Sequence, residues 1–176
     1  IFRGLTIPEL LKALPKARAS KMPLVGGLYY LLMIGEVPTK EQALEVEAEW
    51  AKRAIVPDYV YKMLKTMPKE THPMTLLSQA VLALQNGSVF ASKYHSMKKD
   101  VYWEAALEDS LDLTAKLPII AAYIYRMKYF GESAKPKYNP KLDYGANFSK
   151  MMKVADKKGY SELARLYFIL HSDHEA

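Results

Sequence analysis

Signals for the ends of helices recur along the whole sequence, and they constrain the fold more than any other feature. Pro8 stands in the first turn of one apolar segment that ends before Pro15, and Gly35 follows a second apolar segment. Thr39 and Gln42 have the spacing of a capping box at the start of a third. Between these signals apolar residues recur at intervals of three and four, and no stretch alternates convincingly with a period of two. The sequence therefore predicts an all-α, multihelical fold.

The same signals predict where the helices lie. Three helices are predicted to begin near Pro8, Pro57 and His72. The others are predicted to cover 24–34, 39–54, 102–130, 143–152 and 161–174. In the segment after His72, which is expected to end at 86–87, apolar residues repeat at intervals of three and four, namely Met74, Leu77, Val81 and Leu84. In the segment after Pro57, the residues expected to face inward are Val60, Met63, Leu64 and Met67. Pro118 is expected to break or kink the long helix, and 131–140 is expected to be a loop.

Composition and charge exclude several classes of protein. The 176 residues suit one compact domain, and the absence of cysteine excludes disulfides and thiolate sites. The net charge of +6 favours anionic partners, but the lysines are scattered and form no dense stripe with interleaved aromatic residues. The longest apolar run, 117–125, is far shorter than the roughly 20 residues that cross a bilayer. We therefore expect neither a nucleic acid nor a membrane as partner.

The sequence closes on LYFILHSDHEA, in which an apolar run gives way to two histidines and two carboxylates. On a helix, Leu163, Tyr167, Leu170 and His174 are spaced by four, three and four residues. This spacing places His174 on the stripe that we expect to face the core. Because the chain stops directly after this cluster, and because it opens on IFRGLTIPELL without an initiator Met, we expect it to be the interior of a longer chain.

Three interpretations of this cluster remain open on the residues alone. In the first interpretation a histidine of this cluster is a structural or helix-capping group, which the helix dipole favours near a C-terminus. Alternatively, His171 and His174 bind a metal with a carboxylate, although the spacing is not H-E-x-x-H and no distant third ligand stands out. In the third interpretation a histidine donates a hydrogen bond to an anionic substrate at the wall of an active site.

Several longer motifs resemble those of eukaryotic-type citrate synthases. They are FRGLTIPELLKALPKA at 2–17, GEVPTKEQ at 35–42, THPM at 71–74, YWEAALEDSLDLTAKLP at 102–118 and LYFILHSDHE at 166–175. Their order and their spread from the first residue to the last make the resemblance specific. It implies an almost entirely helical homodimer in which residues 1–176 are part of the large domain. The small domain and the remainder of the large domain would follow the C-terminus.

The resemblance also implies an activity. The family condenses acetyl-CoA with oxaloacetate and water to give citrate and CoA, with acetyl-CoA as a substrate and no cofactor. An aspartate removes a proton from the thioester methyl group, one histidine stabilises the enolic species and another polarises the ketone. In the family these three groups lie beyond the point at which this chain ends, so we expect no catalytic residue and no metal site within it.

Two positions of this chain match substrate-binding positions of the family. The second histidine of the HSDHE motif contacts oxaloacetate in the family and corresponds to His174. A basic residue before the Tyr-Trp pair reaches the CoA phosphates on the neighbouring subunit, and Lys99 stands there where arginine is common. Ala176 stands where the family usually has glycine. His72 and His95 receive no site role.

Two other functions remain open at this point. One is a 2-methylcitrate synthase that uses propionyl-CoA, because one methylene in a pocket discriminates by only about 1–3 kcal/mol. The other is a non-catalytic helical homologue that binds an acidic partner. Placement in the mitochondrial matrix is implied by the resemblance alone.

Overall fold

The computed structural model describes residues 1–154 and 156–172, and within them the chain is helical with no strand. The helices are α1 (Ile7–Ala13), α2 (Val25–Ile34), α3 (Lys40–Arg53), α4 (Asp58–Thr66), α5 (Pro73–Leu84), α6 (Val89–Lys93), α7 (Tyr102–Phe130), α8 (Tyr144–Met152) and α9 (Lys157–Leu170). Short 3₁₀ turns precede α6 and α7 at Gln85–Gly87 and Lys99–Val101. The all-α prediction is confirmed, and the loop predicted at 131–140 contains no helix.

The chain divides into two compact units, which are described separately. The first, here the terminal unit, contains residues 1–51 together with the described residues from Asn139 onward. The second, here the central unit, is Lys52–Tyr138.

Local signals set most helix ends as predicted. Thr39 N–H donates to Gln42 Oε1 at 2.8 Å, and Gln42 N–H donates to Thr39 Oγ1 at 3.2 Å, which completes the capping box of α3. Gly35 and Gly131 end α2 and α7 in the left-handed conformation, with φ of 91° and 65°. Glycine suits these positions because a Cβ disfavours positive φ.

Helix α7 continues through Pro118, so the predicted break is wrong, while a kink at this proline stays a prediction. Pro118 is buried beside Ile119 and Ile120, and burial of this apolar face offsets the roughly 3 kcal/mol that an internal proline costs a helix. On α5, Met74 is 60% exposed and Leu77, Val81 and Leu84 are half-buried, whereas Leu76 and Ala80 are buried. Because α5 is apolar on more than one face, a spacing of three and four fits more than one stripe.

The core of the terminal unit joins helices from both ends of the chain. Leu10 of α1 and Leu14, which follows the last residue of α1, pack with Leu28 and Leu31 of α2 and with Ile169 of α9. Beside this cluster, Trp50 of α3 lies between two tyrosine rings. Its centroid is 5.3 Å from that of Tyr29 and 4.8 Å from that of Tyr144.

The core of the central unit is built on α7, against which α5 and α6 pack. Tyr123 of α7 is fully buried and meets Tyr61 of α4 edge to face, with centroids 4.8 Å apart. Lys135 lies over the Tyr61 ring at 5.2 Å and pairs with Asp58 at 2.6 Å, which ties the loop after α7 to the first turn of α4.

Asn147, a fully buried residue of α8, organises the loop that precedes its helix. Its Oδ1 accepts the Asn139 N–H at 2.8 Å, and its Nδ2 donates to the carbonyls of Asn139 and Leu142 at 2.9 and 2.8 Å. One amide therefore satisfies three backbone groups, which would be expensive to bury unpaired.

Asn147→Ala is expected to lower the free energy of unfolding by about 2–4 kcal/mol, because the Asn139 N–H and the Leu142 carbonyl lose this partner, whereas the Asn139 carbonyl still accepts the Leu142 N–H at 3.0 Å. Urea unfolding followed by circular dichroism measures the change. Asn86→Ala is the matched control, because Asn86 is exposed in the 3₁₀ turn. If both variants lose equal stability, the role assigned to the Asn147 amide is wrong.

Candidate functional site

Helix α9 leads into the HSDHE motif and ends just before it. Asp156 accepts the Gly159 N–H at 2.9 Å and so caps the first turn of the helix. At the other end the His171 ring stacks on Tyr167, with centroids 4.0 Å apart, and its Nδ1 lies 3.0 Å from the Tyr167 carbonyl. Since a carbonyl only accepts, Nδ1 would be the donor in this contact.

The predicted core stripe of α9 is wrong at Leu163 and Tyr167, which are 57% and 56% exposed, and Leu170 is half-buried. The buried residues of this helix include Ala164, Arg165 and Ile169. The helix is rotated so that Arg165 reaches a buried acidic partner. His174 lies outside the described residues, so its position stays a prediction.

Arg165 fixes this rotation through a buried ion pair. Its Nε and Nη2 donate to the two carboxylate oxygens of Asp143 at 3.0 and 2.9 Å, and its Nη1 donates to Glu162 at 2.7 Å. The fork geometry of guanidinium matches a carboxylate on two points. Asp143 also caps α8 by accepting the Ala146 N–H at 3.1 Å, so one carboxylate sets the start of α8 and the face of α9.

Glu47 of α3 is a second buried acid beside this pair, and it is 6% exposed. Its two oxygens accept the Gly26 N–H at 3.1 Å and the Tyr144 N–H at 2.6 Å, in the first turns of α2 and α8. Burial raises the pKa of Glu47 to about 7, against the two backbone hydrogen bonds, which favour the charged form. Asp143 raises this pKa further, and Arg165 opposes the rise.

The sequence interpretation missed Glu47 although a signal for it was present. Ala43 and Trp50 mark the buried stripe of α3, and Glu47 lies four residues after the first and three before the second. An acid on an apolar stripe is a candidate for a buried, paired group.

Lys99 lies in the central unit, in the 3₁₀ turn immediately before α7. Its side chain is exposed and has no acidic partner among the residues that the structure describes. Lys98 stands beside it, and the first N–H groups of α7 follow within a turn. Tyr102, at the first position of α7, meets Phe90 edge to face at 5.1 Å, which holds the turn against α6.

In the described part of the chain, histidine and carboxylate side chains form no group of three or more that could hold a metal ion. Among the same residues, no helix is both long and apolar enough to cross a membrane.

An all-helical chain of this element order has the fold of solved citrate synthases. The structure of citrate synthase from Pyrobaculum aerophilum matches with a TM-score of 0.77 and 27% identity, covering 98% of this chain and 41% of that one. The structure of citrate synthase from Thermotoga maritima matches with a TM-score of 0.64 over 88% of this chain and 37% of that one. At 20% identity this second match bears on the fold alone.

Sequence comparisons define the family. Residues 1–176 match the family model described as citrate synthase, C-terminal domain. The chain is 47% identical over 175 residues to the probable mitochondrial citrate synthase of Glossina morsitans morsitans, and 46% identical over 175 residues to mitochondrial citrate synthase 4 of Arabidopsis thaliana. The chain belongs to the citrate synthase family. It spans 37% and 36% of the length of these two relatives while 99% of its own length is matched.

Glu47 gives the stability of the protein a predictable dependence on pH. Its native pKa of about 7 lies above the ordinary value of 4.5, so the native state holds an extra proton between these values. Stability from this group is therefore complete below about pH 4.5 and is lost as pH rises to about 7, by at most about 3 kcal/mol. Glu47→Gln should remove this slope, as measured by urea unfolding across that range.

The control is Glu45→Gln, because Glu45 is exposed on the same helix and the charge change is identical. Other groups titrate in the same range, so the informative quantity is the difference between variant and parent at each pH. A Glu47→Gln curve that runs parallel to the parent curve would contradict the prediction.

Proposed function

We propose that the complete protein is a citrate synthase, which condenses acetyl-CoA with oxaloacetate and water to give citrate and CoA. The observation that carries this proposal is the match of 99% of the chain, at 47% and 46% identity, to two proteins named as mitochondrial citrate synthases. The names of these relatives support a mitochondrial location for this protein as well. Acetyl-CoA and oxaloacetate are then substrates, and no resident cofactor takes part.

Residues 1–176 would form part of the large domain of a homodimeric enzyme. The three groups that perform the chemistry in the family match no position in this chain, so the chain alone is expected to be catalytically silent. Its contribution would be to bind substrates and to hold the helices on which the remainder of the site is built. The anchoring of α9 by Arg165 and Asp143 supports this role, because it fixes the helix that precedes the HSDHE motif.

His174 is proposed to donate a hydrogen bond to oxaloacetate. Support comes from its place as the second histidine of the motif, two residues after the last described residue. A donor that is fixed before the substrate arrives has no reorganisation cost during the reaction.

In the complete protein, His174→Ala is expected to lower citrate formation by about one to two decades without loss of the fold, because a hydrogen bond to a charged substrate is removed. Steady-state kinetics and a thermal melt measure the two effects. His95→Ala is the control, since His95 is exposed in the central unit. Unchanged kinetics in His174→Ala would remove the assignment.

Lys99 is proposed to contact the phosphates of CoA bound by the partner subunit. Its exposure, its lack of an acidic partner in the described chain and its position before the first N–H groups of α7 all suit an anion. Lysine supplies the charge without the bidentate fork of arginine, so the contact would be a loose one.

Lys99→Ala in the complete protein should raise the KM for acetyl-CoA about three- to tenfold with little effect on kcat, because one charged contact to the substrate is lost. Lys99→Arg should lower this KM, because arginine restores the fork. Lys65→Ala, at an exposed lysine of α4, is the control. A KM that does not respond to either change at Lys99 would mean a solvated lysine with no contact to substrate.

The function itself is tested by thiol release from acetyl-CoA and from propionyl-CoA, with and without oxaloacetate. Release that depends on oxaloacetate and favours acetyl-CoA is the expected result. A preference for propionyl-CoA would replace the proposal with a 2-methylcitrate synthase. No release with either thioester would leave a helical homologue without this chemistry.

A further inference from the structure

The terminal unit contains a large open cleft to which no role has been assigned. It has a volume of about 730 Å³, within the range of small-molecule sites. The loop before α2, one side of α3, the turn before α8 and Arg165 of α9 enclose it. All of its lining residues belong to the terminal unit.

The charged groups of the cleft are divided between rim and floor. The floor holds Glu47, Asp143 and Arg165. Arg165 donates to Asp143, and Glu47 accepts the N–H of Tyr144, the residue that follows Asp143. The rim carries Arg18, Lys40 and Lys141, which are exposed. Within residues 1–154 and 156–172 these three rim cations have no acidic partner. Lys16 lines the cleft as well, but its ammonium group donates to the Leu11 carbonyl.

The balance of charge makes the cleft electropositive. Five basic side chains face two acidic ones, and one of those acids, Glu47, is partly protonated at neutral pH because burial raises its pKa to about 7. Unpaired cations around a concave surface with low-dielectric walls raise the local concentration of anions. A ligand of this cleft should therefore carry negative charge at its ends and should not need to reach the floor.

The walls between the cations are apolar. Leu24, Leu44 and Leu142 line the cleft. Leu44 is 46% exposed and Leu142 is half-buried, so these two supply most of the apolar surface that a ligand could cover, whereas Leu24 is 2% exposed. Burial of such surface by a ligand is favourable in proportion to its area. Together with the volume, this favours a compact organic body over a bare inorganic ion.

We propose that this cleft binds an organic dianion, whose charged groups lie against Arg18, Lys40 and Lys141 and whose apolar body lies against the three leucines. Phosphate monoesters and dicarboxylates share this chemistry. The inference concerns a separate group of residues from His174 and Lys99, so it stands whether or not the complete protein makes citrate.

Isothermal titration calorimetry of the complete natural polypeptide, at low ionic strength and about pH 8, tests the proposal with phenyl phosphate and with isophthalate, both dianions there. Saturable binding of at least one probe is expected. The double variant Lys40→Gln/Lys141→Gln should weaken it about tenfold, because two attractive charges are removed. The probe that binds more tightly identifies the phosphate or the carboxylate source.

The matched control is Lys62→Gln/Lys65→Gln, which removes two exposed lysines of α4 in the central unit and leaves the net charge equal to that of the test variant. Binding at another anion site of the protein, including its substrate site, would not distinguish the two variants. Equal affinity in the two variants, or no saturable binding of either probe by the parent, overturns the proposal.

Discussion

The terminal unit depends on one buried carboxylate, that of Glu47. It accepts backbone N–H groups from the first turns of α2 and α8, which are separated from each other by more than 100 residues of sequence. Each helix start carries partial positive charge and unpaired donors, so a single acid on α3 satisfies both. The contact demands close approach, and Gly26 permits it, because a Cβ there would stand 2.7 Å from the Ala43 carbonyl oxygen and 2.9 Å from Glu47 Cγ. Gly145 permits a second close approach, that of Arg165, whose side chain would stand 2.5 Å from a Cβ at this position. The Glu47 contact therefore requires the glycine at position 26 as well as the acid.

The same cluster determines which face of α9 meets the core. Asp143 caps α8 and pairs with Arg165, so the start of one helix and the rotation of the next are set by one side chain. A buried ion pair gains little stability over an apolar pair of similar size, but its geometry is specific. This explains why Leu163 and Tyr167 remain exposed while the polar Arg165 is buried. An apolar contact would tolerate several rotations of α9, whereas the fork of Arg165 on Asp143 tolerates one.

The sequence predicted what is encoded locally and failed on what is encoded at long range. Pro8, Gly35, the Thr39–Gln42 box and Gly131 act within a few residues of themselves, and the helices end where they predict. Periodicity found the helices but placed Leu163 and Tyr167 of α9 on the wrong face, because apolar residues on two faces of a helix can give the same spacing as one buried stripe. The family motifs supplied Lys99, which no spacing rule would have selected, and they supplied the substrate role of His174, which spacing had marked only as a residue of the predicted core stripe. The buried roles of Glu47, Asn147 and Arg165 depend on partners that are distant along the chain, and their residue types are those usually assigned to solvated surfaces.

The HSDHE motif is supported partly by a local signal and partly by contacts between residues that are distant along the chain. Helix α9, which precedes it, begins at a local cap on Asp156, but its orientation comes from Arg165 and Asp143 and, behind them, from Glu47. A protonation change at Glu47 alters a charge that Arg165 and Asp143 both feel, as their opposed effects on its pKa indicate. The Arg165 guanidinium donates to both Asp143 and Glu162, so one buried cation is shared by acids on two sides. Protonation of Glu47 removes a negative charge beside this pair, and the orientation of α9 therefore rests on a network whose charge changes near pH 7.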